Sequence, residues 1–384
     1  MHVVVAGGGI VGTAASYYLA RRGIDVTVCE KSHVGAGSTG AGGGIRSQFS
    51  TPVNVELSRH SMEVWADFDE EFGVDVRERT NGYLFLARTD ESADQLRRDV
   101  SLQREHGFPN EFLDPAEAAA HCPGLDASRY VGASYSPRDR FVSPTIALNA
   151  LADASEAAGS TFEIGTEITD VLLEGTGPDR SVCGVETGDG RIECDYVVDA
   201  AGPWAGRILD MVSLRLPIEP RLRYQLLVRP GDAYEPDLPL TMDVDTGSVF
   251  YPEDDEVMIA SAPQEQMPRV DPGHTNADPS TEWTIDVLEG LGEMADFFTD
   301  ETRVQREISG VYAQTPDGNP ILDEPLPGFV VAAGFSGHGF MHAPATGQLV
   351  AEMVDEGSPS LVDISSLSAD RFADRSPDAE RSFI

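Results

Sequence analysis

The stretch from His2 to Glu30 leaves this chain few folds to adopt. HVVVA, His2–Ala6, is a short apolar run of the kind a buried strand needs. Gly7-Gly8-Gly9-Ile10-Val11-Gly12 follows, then an apolar stretch with helical spacing to about Arg22, the breaker Gly23, and a second strand-like run, IDVTVCE, closing on Glu30. Strand, glycine turn, helix and strand in that order make one βαβ unit of a parallel sheet. Each spaced glycine meets its own demand. Gly7 makes the tight turn, Gly9 lets a pyrophosphate approach the backbone, and Gly12 lets helix pack on strand. A dinucleotide phosphate would rest on the helix N-terminus at Ile10 and Val11, where unpaired N–H groups and the helix dipole attract an anion. Glu30, about 20 residues further on, is placed to accept hydrogen bonds from a ribose, with Lys31 beside it. The motif does not separate NAD from FAD, and a tight turn with no ligand is the competing reading.

A second construction of this kind closes the chain. Ala332 to Val354 reads AAGFSGHGFMHAPATGQLVAEMV, a glycine-rich turn feeding an apolar run of helical spacing. A nicotinamide cofactor is gripped from one parallel sheet and leaves this turn without a role. FAD carries a long isoalloxazine ring that must be held flat, far from its adenosine. A helix N-terminus aimed at the N1–C2=O edge would stabilise the negative charge of the reduced ring. Gly334, Gly337 and Gly339 would let backbone lie directly against it. A packing turn is the alternative.

Between the two, residues 35–46 (GAGSTGAGGGIR) form a glycine-dense loop. Thr51-Pro52 opens a predicted amphipathic helix to about Phe72, stopped by Gly73, and Ser143-Pro144 opens another that Gly159 ends. From Phe162 the texture changes to strands, with a hairpin turn at Gly188-Asp189-Gly190. Residues 216–265 and 304–313 also read as strands around a helix at about 280–298, and the polar segment after Asp363 is expected to be partly loose. At 384 residues the chain exceeds one ordinary core. The expected class is α/β (α+β overall): a Rossmann-like domain with a parallel sheet, over 1–80, 140–215 and 315–384, and a substrate domain on a mostly antiparallel sheet, over 81–139 and 216–314.

Composition excludes several functions. With 65 acidic against 27 basic residues, a formal charge of −38 and no basic run, nucleic-acid binding by phosphate neutralisation is ruled out. Lys31 is the only lysine. Acid excess with arginine in place of lysine points to a halophilic protein of a salty cytoplasm, where a Debye length of roughly 3 Å or less screens surface repulsion. The four cysteines, Cys29, Cys122, Cys183 and Cys194, lack paired metal spacing. Cys183 and Cys194 could face each other across the hairpin, with a reduced pair favoured. No apolar run approaches the ~20 residues of a membrane span. The N-terminus enters a strand at once, so no signal peptide is expected and the localisation is read as cytoplasmic.

Five motifs occur together and in order: GGGIVG with Glu30, GSTGAGGGIR, VVDAAGPWA, GVYAQTPDGNPILD and GFSGHGFMHAPATG. Together they resemble the FAD-dependent amino-acid oxidoreductases of the D-amino-acid oxidase, glycine oxidase and sarcosine oxidase superfamily. Within it the resemblance is to the sarcosine oxidase β-subunit and archaeal proline dehydrogenase type. It runs from Val3 to Val354; the first and third motifs are shared by many flavoproteins and the last two are more specific. It implies that Ser38, Thr39, Gly42, Gly43 and Gly44 line the path from diphosphate to flavin. Ile168 would recognise adenine through its backbone, and Ala200, Ala201 and Gly202 would pass close to the cofactor. Gly337, His338, Gly339, Phe340 and Met341 would border the isoalloxazine. One glycine turn is then expected to hold pyrophosphate and the other the ring.

Arg46 follows the glycine loop and should emerge at the flavin, where its rigid fork suits the carboxylate of an amino acid. The resemblance places a carboxylate-binding arginine at this point; a structural ion pair is the competing reading. Tyr312 matches a tyrosine near the substrate in these relatives, or is a buried strand tyrosine. His338 either tunes the ring or fills space and is not taken as a base. Gln48, Tyr224, Tyr251 and His342 are candidate pocket walls. Relatives with covalent flavin carry a cysteine where this chain has Gly310, so FAD is expected to be non-covalent. Several relatives hold the carboxylate with a lysine where this chain has Met341. They also use a lysine near the oxygen site, in the segment that here reads EVMIASA, and its absence tilts the expectation from oxidase towards dehydrogenase.

The expected reaction is oxidation of a small amino acid, sarcosine-, proline- or glycine-like before D-amino acids, with no metal. The electron acceptor (oxygen, a quinone or a partner protein) and oligomeric assembly stay open. So do two other classes: a NAD(P)-dependent dehydrogenase, and a non-catalytic or assembly-type flavoprotein.

Overall fold

The computed structural model describes residues 1–38, 42–263, 267–273, 278–374 and 379–381. Its six-stranded sheet runs, edge to edge, Ile321–Leu326, Phe329–Ala333, Tyr196–Asp199, His2–Ala6, Asp25–Glu30 and Thr161–Ile164. All neighbours are parallel except the antiparallel edge pair Ile321–Leu326 and Phe329–Ala333. The central strands carry buried apolar runs, Val3–Ala6, Val197–Val198 and Phe329–Ala333, because both faces are covered. Val3, Val5, Val198 and Val330 point into one core with the helices Ile10–Arg21, Pro144–Ala158 and Gly339–Glu356. Val4, Ala6, Val197 and Val331 point into another, under a three-stranded antiparallel sheet at 168–193 and the helix Ala205–Met211.

A second sheet of eight strands is built from Tyr83–Ala87, Glu111–Leu113, Gly132–Ser136 and the strands between Glu219 and Gln314. It is antiparallel except where Leu240–Asp243 runs beside Tyr83–Ala87. Alternation divides its faces. Leu222, Leu226 and Val228 pack with Trp283, Val287 and Leu291 of the helix Thr281–Met294 on one side. Tyr83, Phe85, Met242 and Tyr251 cluster on the other.

The predicted helix from Pro52 to Phe72 is two helices, Pro52–Ala66 and Phe68–Phe72, broken at Asp67 with φ −103° and ψ 10°. The break lets two large rings enter the core together: Trp65 and Phe68 stack with centroids 4.9 Å apart and are almost wholly buried. Helices at Asp90–Glu105 and Pro115–His121 occupy a region to which the sequence analysis assigned no elements. Their start signals are Thr89, whose side chain accepts from Ser92 N–H, and a capping box between Asp114 and Glu117. The segment after Asp363, expected to be partly loose, buries Leu367, Ala369 and Glu380. All four cysteines are free. Among the described residues no helix is long and apolar enough to cross a membrane, and no cluster of metal ligands occurs.

Candidate cofactor and substrate site

The first glycine turn has no room for side chains. Gly7 has φ +107°, and a Cβ there would stand 2.8 Å from Ala200 O; a Cβ on Gly12 would stand 2.0 Å from Gly7 O. Gly9 precedes the first turn of the helix Ile10–Arg21, and Ile10 N–H donates to Ser38 Oγ at 3.1 Å. Val11 is buried in the same turn. Glu30 is held by backbone donors: Oε2 accepts from Gly8 N–H at 2.9 Å and Oε1 from Ser32 N–H at 2.8 Å. Lys31 Nζ lies 3.8 Å over the Trp204 ring, and burial draws its pKa down. Ala200, Ala201 and Gly202 lie beneath Gly7 and lead into Trp204. Ile168, buried in the strand Ile168–Glu174, is joined to this end by Thr166 N–H, which donates to Glu30 O at 3.0 Å. Thr39 lies outside the described residues.

The second turn follows the buried strand Phe329–Ala333. Ser336, at φ +51°, is fixed by its N–H to Ala313 O at 2.9 Å and by its Oγ, which accepts from Thr315 N–H at 3.1 Å. Gly337 has φ +99°, and a Cβ there would meet the Tyr312 ring at 2.5 Å. His338 then precedes the helix Gly339–Glu356. Pro344 interrupts that helix, and the helix Pro52–Ala66 takes up the disturbed backbone groups. Ala345 N–H donates to Ser61 Oγ at 3.2 Å, and Trp65 Nε1–H donates to Met341 O at 2.9 Å. Phe340 stacks on Trp65, with centroids 5.1 Å apart. A Cβ on Gly347 would meet Ala14 C and O at 2.7 Å, so the helices Ile10–Arg21 and Gly339–Glu356 touch backbone to backbone. That crossing ties the two glycine turns together.

A cavity of about 670 Å³ opens between the second turn and the inner face of the eight-stranded sheet, within the size range of cofactor sites. Gly42, Gly43 and Gly44 line it together with Arg46, Tyr312, Gly337, His338 and Met341. Ile45 pairs with Arg140 in a short antiparallel ladder that delivers Arg46 inwards. Arg46 is 1% exposed, with its guanidinium 4.4 Å from the centre of the Phe49 ring and Nη2 3.1 Å from His338 Nε2. A guanidinium only donates, so His338 Nε2 accepts and the imidazole carries its proton on Nδ1. Tyr83, Phe141 and Tyr251 form an aromatic wall with successive centroids 5.3 and 4.6 Å apart. Burial raises the pKa of both tyrosines, so they stay neutral.

Of the remaining candidates, Gln48 and Tyr224 line the cavity with Tyr251, and His342 is not among its lining residues. Gln48 Nε2 donates to Tyr83 O at 2.9 Å, and His342 Nε2 is 2.9 Å from Ser58 Oγ, with burial holding its pKa well below the usual value. Tyr224 packs on Trp283, 5.7 Å between centroids. Sequence reasoning missed Tyr83, Phe141 and Asp139. The buried Asp139 carboxylate accepts from Ser47 N–H at 2.8 Å and Ser136 Oγ at 2.6 Å, and burial lifts its pKa to about 6. No spacing signal marks these three, because separate loops and strands bring them together.

The residues present fit FAD: a tight turn at a helix N-terminus at one end, and a glycine-lined cavity against a second helix N-terminus at the other. The family model described as FAD dependent oxidoreductase, DAO, matches residues 2–353. Glycine oxidase of Geobacillus kaustophilus (strain HTA426) is 30% identical over 92% of this chain and 92% of its own. FAD-dependent oxidoreductase domain-containing protein 1 of Xenopus laevis is 28% identical over 100% of this chain and 84% of its own. The crystal structure of L-proline dehydrogenase from P. horikoshii superposes with a TM-score of 0.87 at 32% identity, covering 97% of each chain. The match over 2–353 shows that the chain belongs to the DAO family of FAD-dependent oxidoreductases.

Proposed function

We propose that this chain oxidises the C–N bond of a small amino acid of the sarcosine, glycine or proline kind, with the substrate carboxylate on Arg46. The observation that carries it is a fully buried arginine opening into the glycine-lined cavity, held by a neutral histidine. In this reading 1–80, 140–215 and 315–384 hold the cofactor, and 81–139 and 216–314 roof the substrate. Bound FAD would supply a two-electron acceptor for the hydride of the C–H beside the neutral amine, the N–H proton passes to water, and the product is an imine that water hydrolyses or, from a cyclic amine, that leaves intact.

The protein's part is alignment. The Arg46 fork takes both carboxylate oxygens and fixes which C–H faces the ring. His338 accepts from Arg46 as a neutral group and so adds no negative charge to compete with the substrate carboxylate. Tyr312 stands against Gly337, and Tyr83 and Tyr251 line the opposite wall as neutral groups. The N-terminus of the helix Gly339–Glu356 adds positive potential where the ring's charge grows. FAD is held without a covalent bond, electrons pass to an acceptor other than oxygen, and the protein works in a salty cytoplasm.

The test is anaerobic addition of sarcosine, glycine, proline and D-amino acids to the yellow holoprotein. Bleaching by at least one is expected, and silence across the panel refutes the proposal. Arg46→Ala should abolish bleaching at low substrate while FAD content is unchanged; loss of FAD instead would show that Arg46 serves the cofactor.

A further inference from the structure

The start of the helix Pro52–Ala66 holds a carboxylate to which nothing above gives a role. Glu380 is 1% exposed. It accepts from Ser50 N–H at 2.9 Å and Oγ at 2.7 Å, from Thr51 N–H at 3.2 Å and Oγ1 at 2.8 Å, and from Asn54 Nδ2 at 2.9 Å. Burial pushes its carboxyl upward, but the bonds from Ser50, Asn54 and Thr51 outweigh burial and the net shift is downward, so it is ionised. Thr51, the N-cap residue, makes no capping bond with its own side chain. Its hydroxyl donates to Glu380, whose charge stands at the positive end of the helix.

The same residue reaches the second glycine turn. Glu380 N–H donates to Asp317 O at 2.9 Å, and Asn54 Nδ2 donates to Asn319 Oδ1 at 2.8 Å. Just before them, Thr315 is bonded through its amide to Ser336, two residues from His338. Glu380, through its carboxylate on one side and its backbone N–H on the other, therefore joins the stretch that follows Arg46 to the segment that leads to the turn carrying His338. Arg46 has need of an acid: burial draws its guanidinium down, and Glu380 is the largest charge opposing that, ahead of Tyr83 and Asp139.

We propose that Glu380 is the positioning residue of the substrate-carboxylate site, its negative charge and its five hydrogen bonds from Ser50, Thr51 and Asn54 holding Arg46 and the 46–54 stretch in place without touching substrate. This rests on reading Arg46 as the carboxylate anchor. A buried charged network that loses its charge loosens at every member, so the effect falls on substrate affinity.

The test titrates the oxidised holoenzyme with acetate, read by perturbation of the flavin absorption, for the parent, Glu380→Gln, Glu380→Asp and Arg46→Ala. Glu380→Gln should weaken acetate binding by roughly tenfold or more, the equivalent of one charge-assisted hydrogen bond, and raise KM alike with kcat within about twofold. Glu380→Asp keeps the charge and should stay within about threefold of the parent. Gln matches Glu in volume and Asp is shorter, so a space-filling role reverses that order, and the reversed order overturns the proposal. Tighter acetate binding in Glu380→Gln also overturns it, since Glu380 would then compete with the substrate. Should Glu380→Gln yield no folded holoenzyme, Glu380→Asp decides, and a tenfold loss there overturns the proposal. Arg46→Ala should lose the acetate response; an unchanged response refutes the anchor itself, whatever the Glu380 variants do.

Discussion

Gly337→Ala tests the second cradle at its tightest point. Gly337 has φ +99°, where an L residue is strained, and its new methyl carbon would lie 2.5, 3.0 and 3.2 Å from Tyr312 Cε2, Cζ and Cδ2. The backbone strain costs about 1–2 kcal/mol. The contact forces the Tyr312 ring or the turn to move, another 1–3 kcal/mol typical of overpacking. The sum is about 2–5 kcal/mol, all of it at the turn proposed to face the ring. Equilibrium dialysis of FAD should therefore show the dissociation constant raised by roughly 30-fold or more.

A double-mutant cycle separates the two parts. Tyr312→Ala removes the ring but not the positive φ, so Gly337→Ala in that background should lose only about 1–2 kcal/mol of FAD affinity. Parent-like FAD affinity in Gly337→Ala, with the protein folded, would refute the reasoning. It would place the ring away from this turn and leave the second glycine cradle as packing.

Three other perturbations follow from the same geometry. Arg46→Lys should raise KM for the amino acid by roughly tenfold or more, because an ammonium lacks the planar fork, while FAD content holds; an unchanged KM would mean that the charge alone suffices. Gly347→Val drives a side chain into Ala14 backbone at 2.7 Å, and should destabilise the holoprotein by about 3 kcal/mol or more and cost both cradles their spacing, measured as Tm and FAD content together. Asp199 is fully buried; Oδ1 accepts from Ala201 N–H at 3.1 Å, Oδ2 has no hydrogen-bond partner among the described residues, and burial raises its pKa to about 8. Between an unfolded value near 3.9 and about 8 the native state holds a proton that the unfolded chain has lost, so this group's contribution to stability falls as pH rises through that window. Asp199→Asn should remove the slope, its stability relative to the parent growing by about 4 kcal/mol from pH 5 to pH 8 in urea unfolding; a constant difference would refute it.

What could be read in the sequence was whatever backbone geometry demands locally. Gly7, Gly9 and Gly12 are set by one turn of one βαβ unit, so spacing alone exposes them, and Gly337 betrays itself the same way ahead of Gly339. Helix ends were legible where a single residue decides them, as at Gly159, and not where tertiary packing does. Asp67 breaks a helix only because Trp65 and Phe68 must share one core. Charge compensation is hidden more deeply. Arg46 drew notice from its place after the glycine loop, but the acid that opposes its burial lies near the other end of the sequence, one among 65. In a chain this acidic an exposed carboxylate carries no information, because many arrangements serve solubility equally. A carboxylate at 1% exposure that accepts from six donors among the described residues is a different object, since its desolvation must be met by named partners at fixed positions. Residue type cannot separate the two, and only the fold, by bringing Ser50, Thr51 and Asn54 around Glu380, singles out the acid proposed to support the site.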